Sequence, residues 1–143
     1  NGCDATLFWG SAGTCDASNP ANWGEPDRTA GMVSACARYF PVIYAPGDLH
    51  LAGGRGQGIL LVRGDLDLSA GARFYGAVVV LGRITSGAGG GAIEGAVLEE
   101  GKAGGTSQLA GSAIRYSSCA VARALTGSAP ARPFGERAWS LLY

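Results

Sequence analysis

Gly-Asp-Leu-His-Leu at residues 47–51 and Gly-Asp-Leu-Asp-Leu at residues 64–68 are two strong copies of a pattern that recurs along the chain. Weaker copies follow as Gly-Arg-Ile-Thr at residues 82–85 and Gly-Lys-Ala at residues 101–103. The leading glycines are spaced 17, 18 and 19 residues apart. Short, slightly drifting repeats are typical of solenoids, in which each repeat forms one coil and buries its apolar face by stacking on its neighbours.

A second, apolar element begins six residues before each of these glycines. Ile-Leu-Leu-Val at residues 59–62 is apolar on both faces, which favours a parallel strand covered on both sides. The element that starts at the repeat glycine instead alternates, with Leu pointing one way and Asp or His the other. We therefore predict an all-β fold, a short parallel β-solenoid of about four to five coils.

The length of 143 residues suits a single domain with one core. We predict an irregular N-terminal cap with a short flanking helix at residues 1–40, the solenoid coils at 41–121, and a C-terminal cap or tail at 122–143. A last, degenerate coil is predicted to start at residues 114–121, and residues 120–125 are compatible with helical turns. The flanking helix is predicted over residues 29–40 because helical spacing relates Met32, Val33, Cys36 and Phe40.

Stacking in this register places equivalent residues of successive coils about 4.8 Å apart. The side chains on the wet side should then form polar columns, in which Arg83 can pair with Asp65 and His50 with Asp67. The first predicted polar column contains Asp48, Asp65, Arg83 and Lys102. The second contains His50, Asp67 and Thr85, and an apolar column contains Phe74, Ile93 and Ile114.

The charge balance and the absence of known binding motifs argue against several classes of function. The chain has 11 basic and 11 acidic residues without a basic cluster, which argues against a nucleic-acid partner. No stretch approaches the roughly 18 apolar residues of a membrane span. No metal-ligand spacing or cofactor motif is present, because the glycine-rich residues 87–91 lack the Gly-Lys-Ser/Thr ending of a phosphate-binding loop. We expect no cofactor and no metal.

The four cysteines form an even set without Cys-x-x-Cys spacing, which favours disulfides over a zinc site. We predict the pairs Cys3 with Cys15 and Cys36 with Cys119, although four cysteines allow three pairings. Disulfides indicate an exported protein, extracellular or on the cell surface, and a targeting segment would then have preceded Asn1.

One strand face is a candidate for glycan binding or glycan cleavage, because polysaccharide-cleaving β-helices place acidic and basic groups on such a face. Its residues are Asp48, His50, Asp65, Asp67 and Arg83, with Arg63 nearby. Simple alternation explains the same residues as a solvated strand edge, and we favour that interpretation. Trp9 and Trp23 could likewise form a sugar-stacking surface, but anchoring a loop-rich cap is the preferred role.

The segments at residues 58–68, 74–80, 95–98 and 114–121 together resemble a known family. They are similar to the exported C-terminal regions of bacterial proteins whose N-termini resemble type IV pilus minor pilins. The resemblance covers about residues 41–125, together with the Arg-Pro pair and the Trp of the tail. It implies a structural role at the cell surface and supplies no catalytic residue. The chain departs from the family by lacking the apolar N-terminal helix of pilins.

These observations favour a non-enzymatic extracellular or cell-surface protein that self-assembles or forms part of a pilus-like filament. The expected partners are other copies of the chain or other pilus and cell-surface components. An adhesin or pilus-tip module remains an alternative, as does the glycan-binding or glycan-cleaving β-helix. The predicted assembly surface consists of Leu61, Val79, Trp139, Leu141, Leu142 and Tyr143.

Overall fold

The computed structural model describes residues 15–18, 22–26, 36–101 and 109–127. They form a parallel β-solenoid of about four turns with one flanking helix, which confirms the predicted fold class. The elements are β1 (Val42–Ala45), β2 (Leu49–Ala52), β3 (Arg55–Val62), β4 (Leu66–Ser69), β5 (Ala72–Val80), β6 (Ile84–Ser86), β7 (Gly91–Glu99), β8 (Ala113–Tyr116) and α1 (Ser118–Gly127).

The strands form two parallel sheets whose register follows the sequence repeat. The larger sheet has the order β1-β3-β5-β7-β8, and the smaller has the order β2-β4-β6. Leu49 pairs with Leu66, and Leu66 pairs with Ile84, as the repeat predicts. The apolar column of Phe74, Ile93 and Ile114 is also confirmed. Each coil therefore adds one strand to each sheet.

The long strands β3, β5 and β7 each bend at a glycine with a positive φ, and we call this bend the glycine corner. The sequence pattern does not predict it. Gly58, Gly76 and Gly95 lie opposite one another in the register and have φ values of 111°, 139° and 149°. A side chain would not fit, since a Cβ at Gly76 would lie 2.0 Å from the carbonyl oxygen of Gly58. The glycines thus lie inside continuous strands, whereas the sequence pattern predicts them at the start of the apolar element.

The next position in this row is Tyr116, at the end of β8. Tyr116 does not have a positive φ, because Ala70 is the only non-glycine residue of the described chain that does. A bulky L-residue rarely adopts the conformation that the corner requires. The chain therefore does not continue onto the next face of the coil after Tyr116, and it forms α1 instead. The pairing of β8 with β7 confirms that a last, degenerate coil starts at residue 114, whereas α1 corrects its predicted continuation over residues 118–121.

The core lies in the bore of the solenoid, where inward side chains of both sheets meet. Phe74 is its largest fully buried side chain. At about 25 cal/mol per Å² of buried apolar surface, such side chains supply most of the stabilisation. The buried core consists of Leu60, Val62, Leu66, Leu68, Phe74, Val78, Val80, Ile84 and Ile93.

Helix α1 packs across the outer side of the larger sheet, along the stack of coils. It starts beside Gly95, whose carbonyl oxygen accepts a hydrogen bond from the N–H of Ser117, and it contacts β7, β5 and β3. Ala124 lies against the glycine row at Gly76, and Gly127 lies beside the ring of Phe40. Ten residues of helix span about 15 Å, the width of three strand spacings.

The flanking helix predicted over residues 29–40 is not helical where the structure describes it. Residues 36–38 form a turn, and residues 27–35 lie outside the described part of the chain. The helical turns considered for residues 120–125 belong to α1, so the helix that flanks the coils follows them in the sequence instead of preceding them. Residues 128–143, the predicted end of the C-terminal cap, are also outside the described residues.

The N-terminal segment is attached to the first coil through Gln57. The fully buried side-chain amide donates to the carbonyl oxygens of Cys36, Ala37 and Tyr39, at 2.8 to 3.1 Å. The backbone N–H of Gln57 donates to the carbonyl oxygen of Trp23 at 2.8 Å, which extends the ladder of the larger sheet by one rung. A lone buried amide cannot be recognised from the repeat, so no sequence signal pointed to this residue.

Candidate functional site

In the first polar column, aspartate side chains cap backbone N–H groups at the turn before each polar strand. Asp48 Oδ1 accepts a hydrogen bond from the backbone N–H of Asp65 at 2.8 Å. Asp65 Oδ1 accepts one from the backbone N–H of Arg83 at 2.9 Å. The carboxylate of one coil thus satisfies the backbone donor that begins the polar strand of the next, as Asp does at other chain turns. The predicted column is confirmed as far as Arg83, while Lys102 lies outside the described residues.

The ion pairs predicted within the columns are present. Arg83 Nη2 lies 3.4 Å from Asp65 Oδ2, and His50 Nδ1 contacts Asp67 Oδ2. Thr85 Oγ1 donates to Asp67 Oδ1 at 3.0 Å, which completes the second column. The side chain of His50 is well exposed, as is that of Arg83 to a lesser extent. Pairs of this kind contribute about 0 to 1 kcal/mol each, so they favour the register more than they stabilise the fold.

His50 has a partner on each ring nitrogen. Nδ1 contacts Asp67, and Nε2 lies 3.2 Å from the hydroxyl oxygen of Ser69, a buried residue at the end of β4. Asp67 is similarly engaged through both oxygens. A general acid or base must reach the substrate proton directly or through one water. The groups of this face are directed towards each other along the stack, which is the geometry of a structural ladder.

The predicted disulfide pairing is wrong. Cys15 is bonded to Cys36, with an S–S distance of 2.03 Å and a sequence separation of 21 residues. The path of residues 22–25 explains the pairing, because Glu25 N–H donates to the carbonyl oxygen of Cys36 and brings the N-terminal segment beside that turn. Cys119, at the start of α1, is also disulfide-bonded, and its partner lies outside the described residues.

The predicted assembly residues Leu61 and Val79 lie together on the outer side of the larger sheet. They line a shallow groove of about 370 Å³ with Tyr44, Arg63 and Leu81. Helix α1 covers the neighbouring part of this sheet and leaves the groove open. The other predicted members, Trp139, Leu141, Leu142 and Tyr143, lie outside the described residues.

A larger cleft of about 700 Å³ opens where the N-terminal segment meets the first two coils. Its lining includes Trp23 and Phe74 as well as the charged residues Asp16, Glu25, Arg55 and Arg73. The volume is typical of small-molecule sites, which span about 300 to 1,000 Å³. From the sequence, only Trp23 among these residues is a candidate for binding, because the arginines do not belong to the Gly-Asp-Leu repeat.

Neither a protein-family model, nor a curated protein, nor a solved structure matches this sequence. The resemblance to pilin-associated solenoid regions therefore stays a prediction. No helix in the described part of the chain has the length and apolar character needed to cross a membrane. Within the same residues, no three His, Cys, Asp or Glu side chains come together in a way that could hold a metal ion.

Proposed function

We propose that this protein is a non-enzymatic structural module that stacks end to end with other copies of itself outside the cell. The observation that carries the proposal is the free edge of β8. This strand pairs only with β7 among the described strands, and every one of its four residues is exposed. Exposed strand edges are templates for pairing with another chain.

The backbone of β8 has groups available for such pairing. The N–H of Ser117 donates to Gly95 in β7, and successive backbone groups of a strand point to opposite sides. The N–H and C=O groups of Ile114 and Tyr116 therefore point away from β7. Among the described residues, no second strand pairs with β8 and no loop or turn backbone group bonds to these groups. Tyr116 adds a side chain that is 79% exposed.

The two ends of the solenoid differ, which supports a head-to-tail contact. β8 pairs with residues 92–95, the first half of β7, while β1 pairs with residues 59–62, the second half of β3. The second half of β7 consequently has no β8 partner, and Leu98 there is 65% exposed. A contact between two unlike ends leaves a free end on each copy, and its repetition produces a filament when the rotation between copies does not close a ring.

The location outside the cell rests on the Cys15–Cys36 disulfide and on the resemblance to exported pilin-associated regions. Disulfides persist mainly in oxidising compartments. In this proposal the module is part of a pilus-like filament or of another fibre on the cell surface. A glycan-binding or glycan-cleaving role for the polar columns is less well supported, because Asp48, Asp65 and Asp67 each accept a hydrogen bond from the next coil.

Two variants of Ile114 that differ in whether the backbone N–H is present test the proposal. Ile114→Pro removes an N–H that points away from β7, so it costs no hydrogen bond of the fold, and proline is tolerated at such edge positions. Ile114→Ala shortens the same side chain but keeps the N–H. We expect the wild type and Ile114→Ala to form concentration-dependent oligomers in analytical ultracentrifugation and fibres in electron microscopy, and Ile114→Pro to remain monomeric.

Both variants are first checked for folding by circular dichroism and thermal unfolding. Assembly of folded Ile114→Pro equal to that of Ile114→Ala would exclude the β8 edge as the contact. A wild-type protein that stays strictly monomeric from micromolar to millimolar concentration would refute self-assembly itself.

A further inference from the structure

We propose that the cleft between the N-terminal segment and the first two coils binds an acidic saccharide, a sugar that carries a carboxylate or sulfate group. The proposal rests on the arginine pair Arg55 and Arg73, on the half-buried side chain of Trp23 beside them, and on the size of the cleft. The site is separate from the polar columns and from the free edge of β8, and it does not depend on assembly.

The two arginines are direct neighbours in the parallel register of β3 and β5. Both are exposed, and both line the cleft. Like charges placed opposite each other on adjacent strands destabilise a sheet. Among the described residues, neither guanidinium forms an ion pair or a hydrogen bond with a carboxylate. An anionic ligand would relieve this repulsion, and guanidinium groups bind carboxylate and sulfate oxygens in bidentate geometry.

The two acidic residues of the cleft are engaged in the protein itself. Asp16 Oδ1 accepts hydrogen bonds from the backbone N–H and the hydroxyl of Ser18. Glu25 Oε2 accepts one from the backbone N–H of Cys36. Asn22 is used in the same way, since its amide donates to the carbonyl oxygen of Asp16. The charged side chains of this cleft that have no hydrogen-bond or ion-pair partner among the described residues are therefore Arg55 and Arg73.

The aromatic part of the cleft favours a sugar over a simple anion. Trp23 is half-buried against Gly56, whose missing side chain lets the indole approach, and the ring of Phe74 lies beneath the same position. Apolar faces of sugar rings stack on tryptophan, while their hydroxyl groups stay hydrated. A volume of about 700 Å³ also exceeds what a single inorganic anion needs.

Isothermal titration calorimetry of the full chain tests the assignment with three probes: trigalacturonic acid, the neutral sugar maltotriose, and sodium sulfate. We expect the acidic trisaccharide to bind, with an affinity that falls as salt is added, and the other two to bind at least tenfold more weakly. Loss of one charge-assisted hydrogen bond changes an affinity by about tenfold or more. The double variant Arg55→Gln/Arg73→Gln should lose at least that much.

Arg63→Gln is the matched control, because Arg63 is also exposed and lies on the rim of the outer groove instead of the cleft. It should bind the trisaccharide like the wild type. Equal weakening by Arg63→Gln would show general charge attraction and overturn the site, as would absence of binding to the wild type. Sulfate or maltotriose binding as tightly as the acidic sugar would overturn the ligand class.

The double variant should also unfold at the same temperature as the wild type or at a higher one, since it removes a like-charge pair. Ile114→Pro should bind the trisaccharide normally. The outcome at the cleft and the outcome for assembly can therefore be separated.

Discussion

β5 and β8 belong to the same parallel sheet, but their environments are opposite. β5 has a strand on each side and buries most of its residues, while β8 has a described strand on one side and exposes all four of its own. The apolar column that joins them shows the change most clearly. Ile93, in the strand between them, is 0% exposed, and Ile114 in β8 is 40% exposed, although the two side chains are identical and adjacent.

The comparison shows that burial in this fold is a property of the stack rather than of the residue. A side chain in the bore is covered by the coils before and after it. An isoleucine in the last coil has the same local geometry but lacks one of these two neighbours. The energetic weight of a position should therefore fall from the middle of the solenoid to its ends.

The glycine corner is expected to give the largest contrast. Gly76→Ala places a Cβ against the carbonyl oxygen of Gly58 and imposes an L-residue at a φ of 139°. We expect a loss of about 4 kcal/mol or more in the free energy of unfolding, measured by urea denaturation. Gly47→Ala is the control, because no atom lies within 4 Å of the point that its Cβ would occupy and its φ is ordinary. A similar loss for both variants would contradict the role of the corner.

Substitutions in the apolar column should give the next largest loss in the free energy of unfolding. Ile93→Ala removes a fully buried side chain, and we expect it to cost about 3 to 4 kcal/mol. Ile114→Ala at the adjacent position should cost only about 1 kcal/mol, because its side chain is already partly hydrated. The measurement is the same urea titration, performed at a concentration where the protein is monomeric. Equal losses would mean that β8 is covered in solution.

Substitutions in the polar columns should give the smallest loss in the free energy of unfolding. Asp65→Asn weakens a cap on a backbone N–H and an ion pair with Arg83, and we expect a loss of about 1 kcal/mol. His50→Gln affects an exposed pair at the first rung and should change the stability by no more than about 0.5 kcal/mol. Thermal unfolding of both variants in low and high salt checks this order. A larger loss for His50→Gln would indicate a role beyond the register.

The register of the fold could be predicted from the sequence because a strand repeats every two residues and a coil repeats at a nearly constant length. Those two periods place Leu49 beside Leu66 and His50 beside Asp67, as the structure has them. The polar columns follow from the same alternation. They were predictable because neighbouring coils carry equivalent residues at equivalent positions.

The glycine corners, the disulfide and the cleft depend on contacts that do not follow from the sequence repeat. The glycines of the corner follow the spacing of the repeat. In the sequence, however, a glycine at which a strand bends cannot be distinguished from a glycine at which a strand begins. The disulfide Cys15–Cys36 depends on how the non-repeating segment before β1 lies on the first coil. The arginine pair of the cleft required the register of β3 and β5, since Arg55 and Arg73 lie outside the recurring motif.

The nearly constant offset between paired strands also determines how the chain can fold. Val42 pairs with a residue 17 positions later, Leu60 with one 18 later and Val78 with one 19 later. Each coil therefore needs only the coil just before it, and closing so short a loop costs little entropy. The solenoid can therefore form coil by coil from its N-terminal end while the chain is still being synthesised. Helix α1, which contacts three earlier strands, can dock only when that growth is complete.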